Sequence, residues 1–167
     1  MDNHILVASD GSDKARDAVA MAAKFAKAID APLTVLHVAP PNFASATQSL
    51  PGFGHVLPVG NMIPGMSRSA GELSRTPGDG IDESAMMLGK TIADEARNVA
   101  RGLGVENVTV RLEVGDCAET ILETAAEISA SLIVVGSRGL GRLKGILLGS
   151  VSKKVAQDAQ CSVLIVR

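Results

Sequence analysis

Hydrophobic and polar positions recur along this chain with two periods. Residues 4–9, His-Ile-Leu-Val-Ala-Ser, form a short apolar run that stops at Asp10-Gly11-Ser12. Runs of this length, bounded by turn residues, predict strands buried on both faces, as in parallel sheets. Beyond it the period changes. Ala15, Ala18, Val19, Ala22, Phe25, Ala26 and Ile29 recur at helical spacing, with Lys14, Arg16, Asp17, Lys24 and Lys27 between them. That is an amphipathic helix, with Ser12 or Asp13 as its N-cap. Leu33-Thr-Val-Leu-His-Val-Ala39 reads as a second strand. Strand, helix and strand in succession predict a βαβ unit with a right-handed parallel crossover.

Periodicity resumes at about Asp82, where Ala85, Leu88, Ile92, Ala96, Val99 and Leu103 share one helical face that Gly102 and Gly104 end. Val108, Val110, Leu112 and Val114 alternate with Thr109, Arg111 and Glu113, the pattern of a half-exposed edge strand. Asp116, three residues before Glu119, has the form of a capping box for a helix through Ala130, although Ser or Thr usually leads that motif. Leu132-Ile-Val-Val135 is a buried strand ending at Gly136. A short helix follows with Val151, Val155 and Ala159 on one face, and Ser162-Val-Leu-Ile-Val166 is the last strand. The predicted fold class is therefore α/β: one domain with an open, doubly wound, five-stranded parallel sheet and helices on both faces. In such sheets ligands sit beyond the strand C-termini, where the strand order reverses. Asp10-Gly11-Ser12 and the segment from Gly136 both stand at strand ends. They line one crevice if the first and fourth strands are neighbours.

Composition changes this picture at residues 40–81. Six of the seven Pro and seven of the 17 Gly fall between Pro40 and Gly80, with only four charged residues. A stretch this long without periodicity reads as a mobile insertion or an interaction segment, with Phe43, Phe53, Val56, Leu57, Met62, Ile63 and Met66 as its apolar anchors. Elsewhere composition mostly excludes. The 16 Lys+Arg against 18 Asp+Glu, with 2% aromatic residues, argue against gripping phosphate backbones or stacking bases, so no nucleic-acid partner is expected. No apolar run approaches the roughly 20 residues of a membrane span, and the N-terminus lacks a signal-peptide pattern. Cys117 and Cys161 have neither metal-ligand nor CxxC spacing. A soluble, reduced, cytoplasmic domain is expected.

The candidate chemistry lies in Gly136-Ser-Arg-Gly139-Leu-Gly141-Arg-Leu-Lys-Gly145-Ile-Leu-Leu-Gly149-Ser150-Val-Ser152. Glycines after a strand allow close backbone approach to phosphate, and successive N–H groups can converge on an anion. Gly149-Ser150 stands directly before a helix, whose free N–H groups and dipole favour anions. Ser150 and Ser152 add hydroxyl donors, and Arg138, Arg142 and Lys144 add positive potential. A plain Gly-rich turn that caps a helix has the same pattern, and the residues alone leave both readings open. Two motifs are absent: there is no GK[ST] for a P-loop, and Gly139-Leu-Gly141-Arg-Leu-Lys-Gly145 is one residue too long for GxGxxG and follows the wrong strand.

The spacing Gly136-x2-Gly139-x9-Gly149-Ser150 resembles the signature of the ATP-binding universal stress proteins. Ile5-Leu-Val-Ala-Ser-Asp10-Gly11-Ser12, Leu36-His-Val38 and the stretch from Gly149 through Cys161 to Arg167 are similar to further segments of that family, in order. The resemblance covers residues 4–39 and about 82–167. It implies that Ala8, Ser9 and Asp10 lie against base and ribose, that Val38 meets adenine through its backbone, and that Gly136 and Gly139 approach ribose and phosphates. Gly149, Ser150, Val151 and Ser152 would hold the phosphates, and Val135 and Arg138 complete the implied set. The implied ligand is ATP, or ADP or AMP, with Mg2+. The resemblance also implies a homodimer through strand 162–166, and the apolar run Val163–Val166 independently suits an edge that pairs. Ser162, where the family commonly has Pro, is a departure at the entry to the last strand.

Other candidates are weaker. His37, with no spaced partner, reads as a packed or hydrogen-bonded histidine, and His4 and His55 offer no ligand spacing. Both cysteines read as small apolar residues, although Cys117 at a helix start is placed for a lowered pKa. Asp10 serves equally as a loop cap or a functional carboxylate. No catalytic base or metal cluster is evident. The leading expectation is a nucleotide-dependent regulatory switch in stress response. The alternatives are a slow ATPase, or a scaffold that engages an unknown protein partner through residues 40–81.

Overall fold

Strands and helices alternate along the chain: β1 (His4–Ala8), α1 (Asp13–Ala28), β2 (Leu33–Ala39), α2 (Glu83–Gly102), β3 (Val108–Val114), α3 (Cys117–Glu127), β4 (Ala130–Gly136), α4 (Ser150–Asp158) and β5 (Ser162–Val166). The structure is a computed structural model and describes residues 3–39, 83–139 and 148–167. The Pro/Gly-rich stretch expected at 40–81 lies outside the described residues, as do Gly141, Arg142, Lys144 and Gly145. Every strand pairing is parallel, in the order β3-β2-β1-β4-β5. The doubly wound α/β fold is therefore present, and β1 and β4 are neighbours. The order reverses at β1, which places a switch point between β1 and β4.

Burial follows from the strand period of two. Ile5 and Val7 of β1 and Leu33 and Val35 of β2 join one apolar cluster with Ala18, Val19 and Ala22 of α1 and Ala96 and Ala100 of α2. Leu6, Leu36 and Ile133 point the other way, into a second cluster with Ala118, Ile121 and Ala125 of α3 and Val155 of α4. Leu6 and Ile133 are fully buried, so truncating either to Ala costs about 2–5 kcal/mol. The edges differ in character. β3 is half-exposed, as its alternating pattern predicts. β5 is apolar on both faces, with Val163 and Ile165 packed against one cluster and Leu164 and Val166 against the other.

The helix ends show where local chemistry decides. Ser12 caps α1, its hydroxyl oxygen accepting from Ala15 N at 3.2 Å. Asp116 caps α3, accepting from Ala118 N at 3.1 Å and Glu119 N at 3.0 Å. The reciprocal half of the capping box is not made, because the Glu119 carboxylate pairs with Lys154 Nζ at 2.9 Å. α3 also stops earlier than expected: Ser129 has φ 51°, and Ala130 already belongs to β4. On α1 the buried face is built from small residues, whereas Phe25 and Ile29 stay 43% and 50% exposed at its rim. No helix among the described residues is long and apolar enough to cross a membrane.

Candidate functional site

The C-terminal ends of β1, β2 and β4 open on the sheet face that carries α3 and α4. A cavity of about 620 Å³ lies there, within the range of roughly 300–1,000 Å³ typical of small-molecule sites. All twelve residues expected from the sequence line it. Ala8, Ser9 and Asp10 come from the end of β1, Val38 from β2, and Val135 and Gly136 from β4. Arg138 and Gly139 follow β4, and Gly149, Ser150, Val151 and Ser152 open α4. The structure adds Ala15, Leu36, Cys117, Ile121, Leu148 and Lys153.

The lining divides into two ends. Leu36, Val38, Cys117, Ile121 and Val135 make an apolar end with no aromatic ring among the described residues. The other end is polar, with Asp10, Arg138, Ser150 and Lys153 around the start of α4. Close backbone approach forms its floor. A Cβ added at Gly139 would stand 2.6 Å from Asp10 Oδ2, and one at Gly136 would stand 2.8 Å from the Lys14 carbonyl. The second clash is with backbone, so a larger residue at Gly136 forces β4 and α1 apart.

Hydrogen bonds set what remains for a ligand. Asp10 Oδ1 accepts from Ser12 N at 3.0 Å, which fixes the turn after β1. Ser9 Oγ accepts from Gly11 N at 3.4 Å, and the Ser9 carbonyl accepts from His37 Nδ1 at 2.8 Å. His37 is therefore a hydrogen-bonded, buried histidine, as expected. At α4, Gly149 N donates to Ser137 O at 2.8 Å, and Lys153 N begins the intrahelical ladder on Gly149 O. The N–H groups of Ser150, Val151 and Ser152 thus belong to the first helical turn, which has no intrahelical acceptors. Among the described residues no side chain caps this helix. Ser152 is buried, and its hydroxyl donates to Gly136 O at 2.6 Å. In this arrangement its proton holds β4 to α4 instead of facing the cavity.

Charges complete the site. Arg138 and Lys153 are exposed and make no ion pair among the described residues. Lys154 differs: its Nζ lies 2.9 Å from Glu119 and 3.7 Å from Asp116, and the hydrogen bond to Glu119 raises its pKa. The Glu119 N–H holds Asp116 below the usual carboxylate value, against a smaller opposing effect of burial. The expectation of a lowered pKa at Cys117 is not met. Burial pushes that thiol up, and the charges of Asp116 and Asp10 push the same way, so it remains a neutral wall of the cavity. No group of three or more metal-ligating side chains occurs among the described residues.

Comparison with known proteins agrees with this fold. Residues 1–52 and 67–167 match the model of the universal stress protein family. Universal stress protein YxiE of Bacillus subtilis is 38% identical over 170 residues, covering 100% of each chain. A Thermus aquaticus relative, described as the universal stress protein in the QAH/OAS sulfhydrylase 3' region, is 34% identical over 164 residues, 98% of this chain and 97% of its own. Among solved structures, a universal stress protein in complex with cAMP aligns with a TM-score of 0.64 at 27% identity, over 99% of this chain and 96% of that one. An Archaeoglobus fulgidus universal stress protein in complex with dAMP aligns at 0.63 over 98% and 96% of the two chains, and at 22% identity it speaks for the fold alone.

Proposed function

This chain belongs to the universal stress protein family, and on that premise we propose that its cavity binds an adenine nucleotide, ATP foremost, as a regulatory switch. The observation that carries this reading is the two-ended lining: an aliphatic slot joined to a helix start whose N–H groups lack intrahelical acceptors. Adenine suits the slot between Leu36, Val38, Ile121 and Val135, held by van der Waals contact and backbone. Phosphates suit the first turn of α4, where N–H groups and the helix dipole stabilise negative charge without reorganising. Arg138 and Lys153 flank that end. Asp10, in the polar end, suits a ribose hydroxyl. The cAMP complex of the relative at 27% identity supports an adenine nucleotide in this fold.

Mg2+ fits as a companion of the phosphates. It is commonly held by one or two carboxylates together with phosphate oxygens, and Asp10 is the one carboxylate among the described lining residues. The apolar edge strand β5 supports a homodimer in which β5 pairs with its copy, and two unpaired, half-buried thiols suit a reduced cytoplasm. Titration calorimetry with Mg-ATP tests the central reading. Saturable binding is expected, and the absence of heat at millimolar nucleotide overturns it. Mass analysis of whatever the denatured protein releases then identifies the nucleotide.

A further inference from the structure

We infer that His37 is a positioning residue for the nucleotide loop, acting from the opposite face of the sheet; this rests on the nucleotide reading above. Leu36 and Val38 line the cavity, so His37 between them points away from it, against α2. A Cβ built at Gly89 of α2 would lie 2.9 Å from His37 Cδ2 and 3.3 Å from Nε2. The ring is thus seated directly on the helix backbone, and the missing side chain at Gly89 makes the seat. From there Nδ1 reaches the Ser9 carbonyl at 2.8 Å.

That bond falls where the sheet ladder runs out. The β1–β2 register extends to the pair Ala8 and Leu36, and Ser9 N still donates to Leu36 O at 2.9 Å. Beyond this point the backbone turns into Asp10-Gly11-Ser12, and the imidazole supplies the donor for the Ser9 carbonyl. A carbonyl only accepts, so Nδ1 carries a proton. Residues 9 and 10 both line the cavity, so fixing the Ser9 carbonyl fixes the peptide that leads into Asp10. Helix α2 also touches this loop directly, since Ile92 lies 3.2 Å from the Cβ position of Gly11. Through His37 the packing of α2 therefore bears on where the Asp10 carboxylate stands.

The chemistry gives a test that separates positioning from bulk packing. Asparagine can place an amide N–H near the Nδ1 position, glutamine places its amide near Nε2, and leucine has no donor. With Mg-ATP titrated into the full chain, H37N should bind within about twofold of wild type, whereas H37Q and H37L should bind about fivefold or more weakly. Leucine binding as tightly as histidine overturns the inference. Long-range ¹⁵N–¹H spectra of the unliganded wild type, with the His37 ring assigned through its contact with Gly89, give a measurement that needs neither ligand nor variant. Protonation on Nδ1 is expected, and protonation on Nε2 overturns the inference even where a variant fails to fold. If the wild type binds no ATP while the Nδ1 tautomer is found, the nucleotide reading fails and the positioning role falls with it. The tether of Ser9 alone then stands.

Discussion

Ser152 offers a decision between two roles for one hydroxyl. The resemblance to nucleotide-binding relatives puts it on a phosphate, whereas the structure commits its proton to Gly136 O at 2.6 Å. The change Ser152→Ala removes that bond inside a nearly dry site, since the residue is 4% exposed. A net hydrogen bond is worth about 0.5–1.5 kcal/mol, and a buried acceptor left without its donor costs about 1–3 kcal/mol. Alanine recovers roughly 0.5 kcal/mol in helix propensity. The expected loss is therefore about 1–2 kcal/mol, or about 2–8 °C in Tm for a chain of this size. Urea denaturation at constant m-value measures the loss, and calorimetry with Mg-ATP on the folded variant measures affinity. Affinity should fall no more than about threefold, because the backbone N–H of residue 152 survives the change. An unchanged unfolding midpoint together with a tenfold loss of ATP affinity would refute the structural role and return the hydroxyl to the phosphate.

Three further outcomes follow from the same geometry. Lys153→Ala should weaken ATP by about two- to fivefold, as expected for an exposed charge, and AMP by less; equal losses in parallel titrations would place the lysine away from the outer phosphates. Asp116→Ala should lower Tm at neutral pH by removing two N-cap hydrogen bonds. Because folding depresses the Asp116 pKa below 3.8, its contribution is complete above that value and fades as pH falls through the folded pKa. Melts from pH 7 to pH 2 should therefore show wild type and variant converging in acid, and a constant gap would contradict this. Val163→Lys places a charge on β5 and should yield a monomer by light scattering. Ser137 N donates to Val166 O and Ser137 O accepts from Gly149 N, so the monomer should also bind ATP more weakly, and equal affinity would mean that edge and site are uncoupled.

Much of this fold is legible in the sequence because it depends on period and punctuation. The runs Ile5-Leu-Val7 and Leu132–Val135 are apolar at every position because both sheet faces are covered, and Asp10-Gly11-Ser12 ends the first of them. The sequence misleads where tertiary packing overrides local spacing. Phe25 and Ile29 fall at helical spacing with the buried alanines, yet they stay at the rim of α1 while Ala15, Ala18, Val19, Ala22, Ala23 and Ala26 make its buried face. Asp116 and Glu119 have capping-box spacing, but Lys154, 35 residues from Glu119, takes the glutamate. Local spacing does not register a competitor that arrives through tertiary packing.

The site divides along the same line. Its phosphate end is legible because backbone binds there, and backbone access leaves a record as glycines at fixed intervals and small residues at a helix start. The base end leaves no such record. Cys117 and Ile121 reach the cavity only because α3 packs over the ends of β2 and β4, and any aliphatic pair on that helix face would read alike. His37 is harder still to read, since its contribution is a ring nitrogen that completes a sheet ladder from the face opposite the cavity. What decides its role is the absence of a side chain at Gly89, 52 positions away in the chain. A residue of this kind is found by asking what holds the loop and not what lines the pocket. The physical reason is that a preorganised binding site needs its backbone fixed before a ligand arrives, and the groups that fix it need never touch the ligand.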